Sequence, residues 1–167
     1  GLDFGYTNDP TAIVAIYYFN GGYILDEVCF QKGLSNKQIA DILINSPKAL
    51  VIADSAEPKS IDEIRAFGVN IVPATKGPGS VGQRIQAVQA QRCSVTKRSI
   101  NIIKEFRNYL WETNRDGQVI NVPEHAWSHS MDAIAYGISS LVPIIRRQEF
   151  IESIPIPRAE KKMNPAR

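Results

Sequence analysis

The run Thr11–Phe19 (TAIVAIYYF) constrains this chain more than any other segment. It is dense in β-branched and aromatic residues and carries no charge, the signature of a strand buried on both faces of a sheet. Asn20-Gly21-Gly22 follows as a tight-turn signal, and residues 23–30 return as the next strand. Residues 1–6 supply a short strand carrying Asp3, punctuated by Asp9-Pro10. The first thirty residues therefore predict a three-stranded antiparallel meander.

Beyond the meander, strands and helices alternate. Ser35 with Gln38 forms a capping box for a helix bearing Ile39, Ile42 and Leu43 on one face. Residues 49–53 are a short apolar strand with Asp54 at its end. Pro58 suits the first turn of the next helix, which carries Ile61, Ile64 and Phe67 and stops at Gly68. A strand over 69–72 leads to the loop Lys76-Gly77-Pro78-Gly79. Ser80 with Gln83 is a second capping box, for a helix with Val81, Ile85 and Val88. Ser99 opens a helix whose apolar face is expected at Ile102, Ile103, Phe106 and Leu110, and Asp116-Gly117 marks a turn. The last helix is expected over 128–142, with Met131, Ile134, Ile138 and Leu141 as its stripe. The order predicts an α/β fold, a mixed sheet flanked by helices.

Composition narrows the function classes. A chain of 167 residues, 44% hydrophobic and 22% charged, suits one globular domain with a real core. No apolar run reaches the roughly 18 to 20 residues of a membrane span, and no basic segment followed by an apolar one marks a secretory signal. No membrane association and no secretion are expected. The first residue is not Met and lies inside a strand, so an excised part of a longer protein is expected. Cys29 and Cys93 have no CxxC partner and read as free thiols. A net charge of +2 does not by itself announce nucleic acid, although a carboxylate-rich site can mask basic surface elsewhere. Residues 146–167 hold six basic and three acidic side chains, with three prolines after Ile154. The expected division is therefore a domain over 1–142 and a basic tail or linker over 143–167.

The chemistry lies in where the carboxylates fall. Asp3 interrupts an apolar strand, which opposes both β-propensity and burial unless a partner compensates it. Asp54 ends the run Val51-Ile52-Ala53, and Asp132 sits in the first turns of the last helix. Each of these two has an ordinary structural reading as well, Asp54 in a turn and Asp132 at a helix N-terminus. Should the three converge, their repulsion would raise their pKa values unless a cation neutralised them. Oxygen ligands without a Cys or His majority favour Mg²⁺ or Mn²⁺ over zinc. Two such ions about 3.5 to 4 Å apart can activate a water and stabilise the leaving oxygen of a phosphodiester.

Three separated segments carry a resemblance. Gly1-Leu2-Asp3-Phe4-Gly5-Tyr6 with Asn8-Asp9-Pro10-Thr11-Ala12, then Ala53-Asp54-Ser55-Ala56-Glu57-Pro58, then His129-Ser130-Met131-Asp132-Ala133-Ile134-Ala135-Tyr136 resemble the nuclease domain of tailed-phage terminase large subunits. The resemblance spans residues 1–142 and implies a ribonuclease-H-like fold. It implies an endonuclease that cuts concatemeric double-stranded phage DNA during genome packaging. Asp3, Asp54 and Asp132 match the family's acidic residues that hold two divalent metals, and Asp9 matches a position that assists metal or water in some relatives. By the same resemblance the partners are the terminase ATPase domain, the small terminase subunit and the portal, in the cytoplasm of a bacterial host. No GxxxxGK[ST] loop is present, so ATP hydrolysis by this chain is not expected.

Auxiliary candidates follow. His129, three residues before Asp132, shares its helix face and is placed to meet a phosphate or a metal-held water; it would equally suit a surface helix start. His125 and His129 form an H-x₃-H pair without cysteines, so zinc is not expected. Lys76 matches a Lys-Gly pattern of the family and is expected near the DNA phosphate. Glu57 either caps its helix or stands as a spare ligand beside Asp54. Arg84, Arg92, Lys97 and Arg98 are candidates for a phosphate-contacting rim, though scattered surface charge explains them as well. The competing functions are a Holliday-junction resolvase-like nuclease and a non-catalytic module that docks DNA or a packaging partner.

Overall fold

The computed structural model describes residues 1–75, 80–114, 116, 118–123 and 125–153. Its main sheet has six strands in the order β5-β4-β1-β2-β3-β6. These are β1 (Leu2–Asp3), β2 (Thr11–Phe19), β3 (Gly22–Gln31), β4 (Val51–Ala53), β5 (Ile71–Pro73) and β6 (Cys93–Val95). The first three form the expected antiparallel meander, while β4 and β5 run parallel to β1 and β6 parallel to β3. Asn20 and Gly21 both take positive φ, 49° and 69°, as a two-residue hairpin turn with the twist of its strands requires. The result is the expected mixed α/β sheet.

Helices cover both faces. On one side α1 (Asn36–Ile44) and α2 (Pro58–Ala66) close a core of Leu2, Ile13, Ile39, Val51, Ile64 and Ile71. On the other, α4 (Ile100–Asn108) and α5 (His129–Ser153) close a second core over Ala12, Val14, Tyr23 and Leu25 through Ile102, Ala133, Ile134 and Ile138. Alternate residues of β2 thus enter different cores. Burial on both faces holds only for its first half, because Tyr17, Tyr18 and Phe19 are exposed near the hairpin tip. The remaining helix, α3 (Ser80–Gln89), packs on α5. Among the described residues no helix is long and apolar enough to cross a membrane.

Helix starts follow the sequence in α1 and α2. Ser35 Oγ accepts from Gln38 N at 3.3 Å, and Ser35 N donates to Gln38 Oε1 at 2.9 Å, completing the capping box. Pro58 opens α2. In α4 the cap is long-range. Ser99 makes no side-chain cap, and Glu27 of β3 accepts from the amides of Asn101 (2.9 Å) and Ile102 (3.1 Å). Glu27→Ala should lower the urea midpoint by the equivalent of about 1–2 kcal/mol, the usual cost of a lost N-cap. An unchanged midpoint would mean that water replaces Glu27 without loss.

Five elements differ from expectation. The strand β6 and the hairpin of β7 (Trp111–Thr113) and β8 (Val119–Pro123) are additional. The stripe expected on α4 is rotated: Ile102 is buried, but Phe106 and Leu110 are 71% and 61% exposed. The inward face is Ile102 and Glu105 instead. Finally, α5 continues through Pro143 to Ser153, since proline removes one hydrogen bond and bends a helix without having to end it. The loop at residues 76–79 and the tail from 154 lie outside the described residues.

Candidate functional site

The site forms where β1 and β4 end side by side. Leu2 pairs with Ala53 across the parallel ladder, and Asp54 N donates to Leu2 O at 3.0 Å. This register sets Asp3 and Asp54 at the same edge of the sheet. The first turn of α5 crosses this edge and brings His129 and Asp132, with the Asp132 amide bonded to Ser128 O at 2.6 Å. A fourth piece is the β1–β2 loop carrying Asp9. Thr11 Oγ1 donates to Gly5 O at 2.8 Å and accepts from Gly5 N at 3.3 Å. A side chain at Gly5 would strike Asp9 O at 2.4 Å, so the tight loop depends on glycine there.

The three carboxylates act on one another. Asp3 is only 8% exposed, and burial pushes its carboxyl up to about 6; the His129 hydrogen bond opposes that rise, and the charges of Asp132 and Asp54 add to it. Burial also raises Asp132, against a hydrogen bond from the Ser128 hydroxyl and the charge of Arg84, with Asp54 again adding. Each side chain has a present partner. Asp3 Oδ2 lies 3.2 Å from His129 Nδ1, Asp54 Oδ1 accepts from Ala56 N at 3.0 Å, and Asp132 is held by Ser128. Among the described residues no three His, Cys, Asp or Glu side chains form a ready-made metal cage. The donor chemistry nevertheless fits a hard divalent cation, because the three groups that repel one another are all oxygen ligands.

His129 is gripped from both sides. Its Nε2 lies 3.6 Å from Asp9 Oδ1 while Nδ1 faces Asp3. Burial alone would push the imidazole down, but the hydrogen bond and charge of Asp3, with Glu105 and Asp9 behind, outweigh it and raise the ring above its ordinary value. Of the two, only the Asp3 contact is of hydrogen-bond length; Asp9 acts on the ring through its charge.

The basic candidates separate. Arg84, on α3, is 6% exposed and lies with its guanidinium 5.0 Å above the Tyr136 ring, where its charge reaches Asp132. It is a buried cation of the site, where sequence suggested an exposed rim. Arg98 forms an ion pair with Asp26 on β3. Arg92 bonds Asn20 O at the hairpin tip, roughly 25 Å from Asp3 at ~3.4 Å per strand residue. Lys97 is exposed. Glu57 accepts from Ser60 Oγ at 3.3 Å at the exposed start of α2. Lys76 and the side chain of His125 lie outside the described residues.

Three neighbours were not anticipated as parts of the site. Tyr136 and Tyr109 have hydroxyls raised by burial and then by the Asp132 charge. Glu105 of α4 reaches the first turn of α5, its Oε2 accepting from Ser130 N at 2.6 Å. The signal for Glu105 was its i+3 spacing from Ile102, which puts both on one face of α4, while Tyr109 follows at the helix end.

Comparison with known proteins agrees with this fold. Residues 3–140 match the model of the terminase RNAseH like domain family. The large terminase subunit of Bacillus phage SPP1 is 37% identical over 145 residues, covering 81% of this chain and 34% of that protein. The PBSX phage terminase large subunit of Bacillus subtilis strain 168 is 29% identical over 147 residues, covering 83% and 33%. The chain thus spans about a third of the length of these relatives. The nuclease domain of the SPP1 large terminase, solved with bound Mn, superposes with a TM-score of 0.74 at 32% identity, covering 84% of each chain. The large terminase of a thermophilic bacteriophage has a TM-score of 0.68 at 17% identity, over 84% of this chain and 38% of that one, a likeness of fold.

Proposed function

Because the chain belongs to the terminase RNAseH like domain family, we propose that it is a metal-dependent endonuclease that cuts concatemeric double-stranded DNA during phage genome packaging. What supports this reading is that β1, β4 and the first turn of α5 bring Asp3, Asp54 and Asp132 near enough for the charges of Asp132 and Asp54 to act on Asp3. The Mn bound to the SPP1 nuclease domain supports a divalent cation here. Two Mg²⁺ or Mn²⁺ ions, when held by the three aspartates, supply water activation and stabilisation of the departing 3′ oxygen.

The chain's own residues divide the remaining work. Asp3, Asp54 and Asp132 provide the oxygen donors, and Asp9 stands at the open side of His129. His129 fixes the orientation of Asp3 through Nδ1, and against burial Asp3 raises the imidazole pKa above the ordinary value. Arg84 is a buried cation, so the scissile phosphate would meet fixed positive charge next to the acidic donors. Binding to the DNA backbone is sequence-independent and salt-sensitive. Products carry 3′-hydroxyl and 5′-phosphate ends. Lys76 is proposed to lie near the DNA phosphate, and Arg92, Lys97 and Arg98 belong to a more distant contact surface. The packaging ATPase domain, the small terminase subunit and the portal are the proposed partners, in the bacterial cytoplasm.

Nicking of supercoiled plasmid in Mn²⁺ tests the reading. Asp54→Ala should reduce the rate on the order of 10³–10⁴-fold, the scale of losing a central catalytic group. The folded circular dichroism spectrum should be kept. Cutting at the wild-type rate would remove Asp54 from the mechanism, and preference for four-way junctions over linear duplex would move the chain to the resolvases.

A further inference from the structure

The first turn of α5 carries two residues of the site, and it is held from two elements. Ser128 precedes the helix, where its hydroxyl would ordinarily satisfy an orphan amide. That hydroxyl also donates to the Asp132 carboxylate. The amide of Ser130 is satisfied from another helix altogether, by Glu105 Oε2 of α4 at 2.6 Å. Glu105 is 2% exposed, and its second oxygen, Oε1, is buried without a hydrogen-bond partner. Burial raises its carboxyl, and the Ser130 amide leads the contacts that pull it back. An apolar residue at this inward position of α4 would avoid the cost of burying a carboxylate.

We propose that Glu105 is a positioning residue of the nuclease: by capping α5 from outside, it fixes the first turn of that helix and thereby the setting of His129 and Asp132. Ser128 orients Asp132 from the same turn, so the two side chains act on one helix start. The role rests on the nuclease reading for its effect on activity but not for its effect on the helix. Groups that orient metal ligands from behind typically change metal affinity or rate by 10–100-fold when removed.

The test compares the chain with Glu105→Ala, Glu105→Gln and Ile64→Ala, the last a destabilising change in the opposite core. Two readouts are taken at a temperature where all are folded: plasmid nicking across a Mn²⁺ titration, and amide hydrogen exchange at residues 129–131. Glu105→Ala should nick about 10- to 100-fold more slowly or need correspondingly more Mn²⁺, and exchange faster at Ser130. Glu105→Gln, which keeps an acceptor oxygen at the same reach, should recover most of the rate. Ile64→Ala should change neither. Nicking and exchange in Glu105→Ala that match Ile64→Ala would overturn the proposal, as would Gln failing to rescue. If Glu105→Ala is unfolded, Glu105→Asp decides, because its shorter side chain withdraws the oxygen from Ser130. It must lose rate, and a wild-type rate overturns the proposal. If the unsubstituted chain does not nick, the nuclease reading fails by itself, and exchange at Ser130 still decides whether Glu105 holds the helix.

Discussion

Asp3→Asn should abolish Mn²⁺-supported nicking and, in metal-free buffer, make the chain more stable near neutral pH. The two effects share one cause. The Asp3 carboxyl titrates at about 6 in the folded chain against an ordinary value of 3.8, because burial and the neighbouring aspartates oppose its charge. The folded state therefore holds this proton more tightly than the unfolded state does. Stability from this group is fully present below about pH 4 and is lost as pH rises through about 6. A shift of roughly two units corresponds to on the order of 2–3 kcal/mol. Asparagine has no charge to bury and keeps an oxygen that can accept from His129 Nδ1. Urea midpoints in EDTA at pH 5 and pH 8 should fall with pH for the unsubstituted chain and fall much less for Asp3→Asn. A variant that is less stable at pH 8, or equally pH-sensitive, would show that Asp3 is not the strained group.

This combination separates a functional carboxylate from a structural one. Asp26 has the opposite setting: hydrogen bonds from the Arg98 guanidinium lead the causes that hold its carboxyl below the ordinary value, so its ionised form is favoured by the fold. Glu27, tied to the α4 amides, likewise serves the fold. Asp3 is disfavoured as an anion by the fold that places it, which is the setting the proposed metal-holding role requires.

The sequence made the skeleton of this arrangement legible and hid its supports. The uncharged run of β2, the Asn20-Gly21 turn and the Ser35 capping box are local signals, and each appears where the residues require. Asp3 was conspicuous because a charge inside an apolar strand conflicts with its surroundings. His129 meets Asp3 across 126 positions of chain, a contact no local period encodes. Arg84 looked like any surface cation because an amphipathic helix does not say whether a basic side chain lies over an aromatic ring. The register of α4 was misleading for a simpler reason. Phe106 and Leu110 suit an apolar face better than Glu105 and Tyr109 do, but the helix turns the acidic residue inward to hold α5. Strands of three residues, such as β6 and β7, are too short to leave an alternating pattern.

Millimolar Mn²⁺ should raise the melting temperature of the chain by roughly 5–10 °C, and Asp3→Asn or Asp54→Ala should remove most of that gain. A ligand that binds only the folded state stabilises it by about 2.7 kcal/mol at a hundred times its Kd. For a chain of this size each kcal/mol is worth about 2–4 °C. The gain should be graded with concentration rather than complete at micromolar metal. The bonds from His129 to Asp3, from the Ala56 amide to Asp54 and from Ser128 to Asp132 leave each carboxylate further lone pairs for a cation and orient the donors. The proton on Asp3 competes with the metal, so the Mn²⁺ shift should be smaller at pH 5 than at pH 7.5. A non-catalytic docking module with the same fold has no reason to show any of this dependence. Melting curves that do not move up to 10 mM Mn²⁺, about a thousand times a 10 μM Kd, would leave the three aspartates a cluster of like charges without a cation and would take the hydrolytic reading down with them.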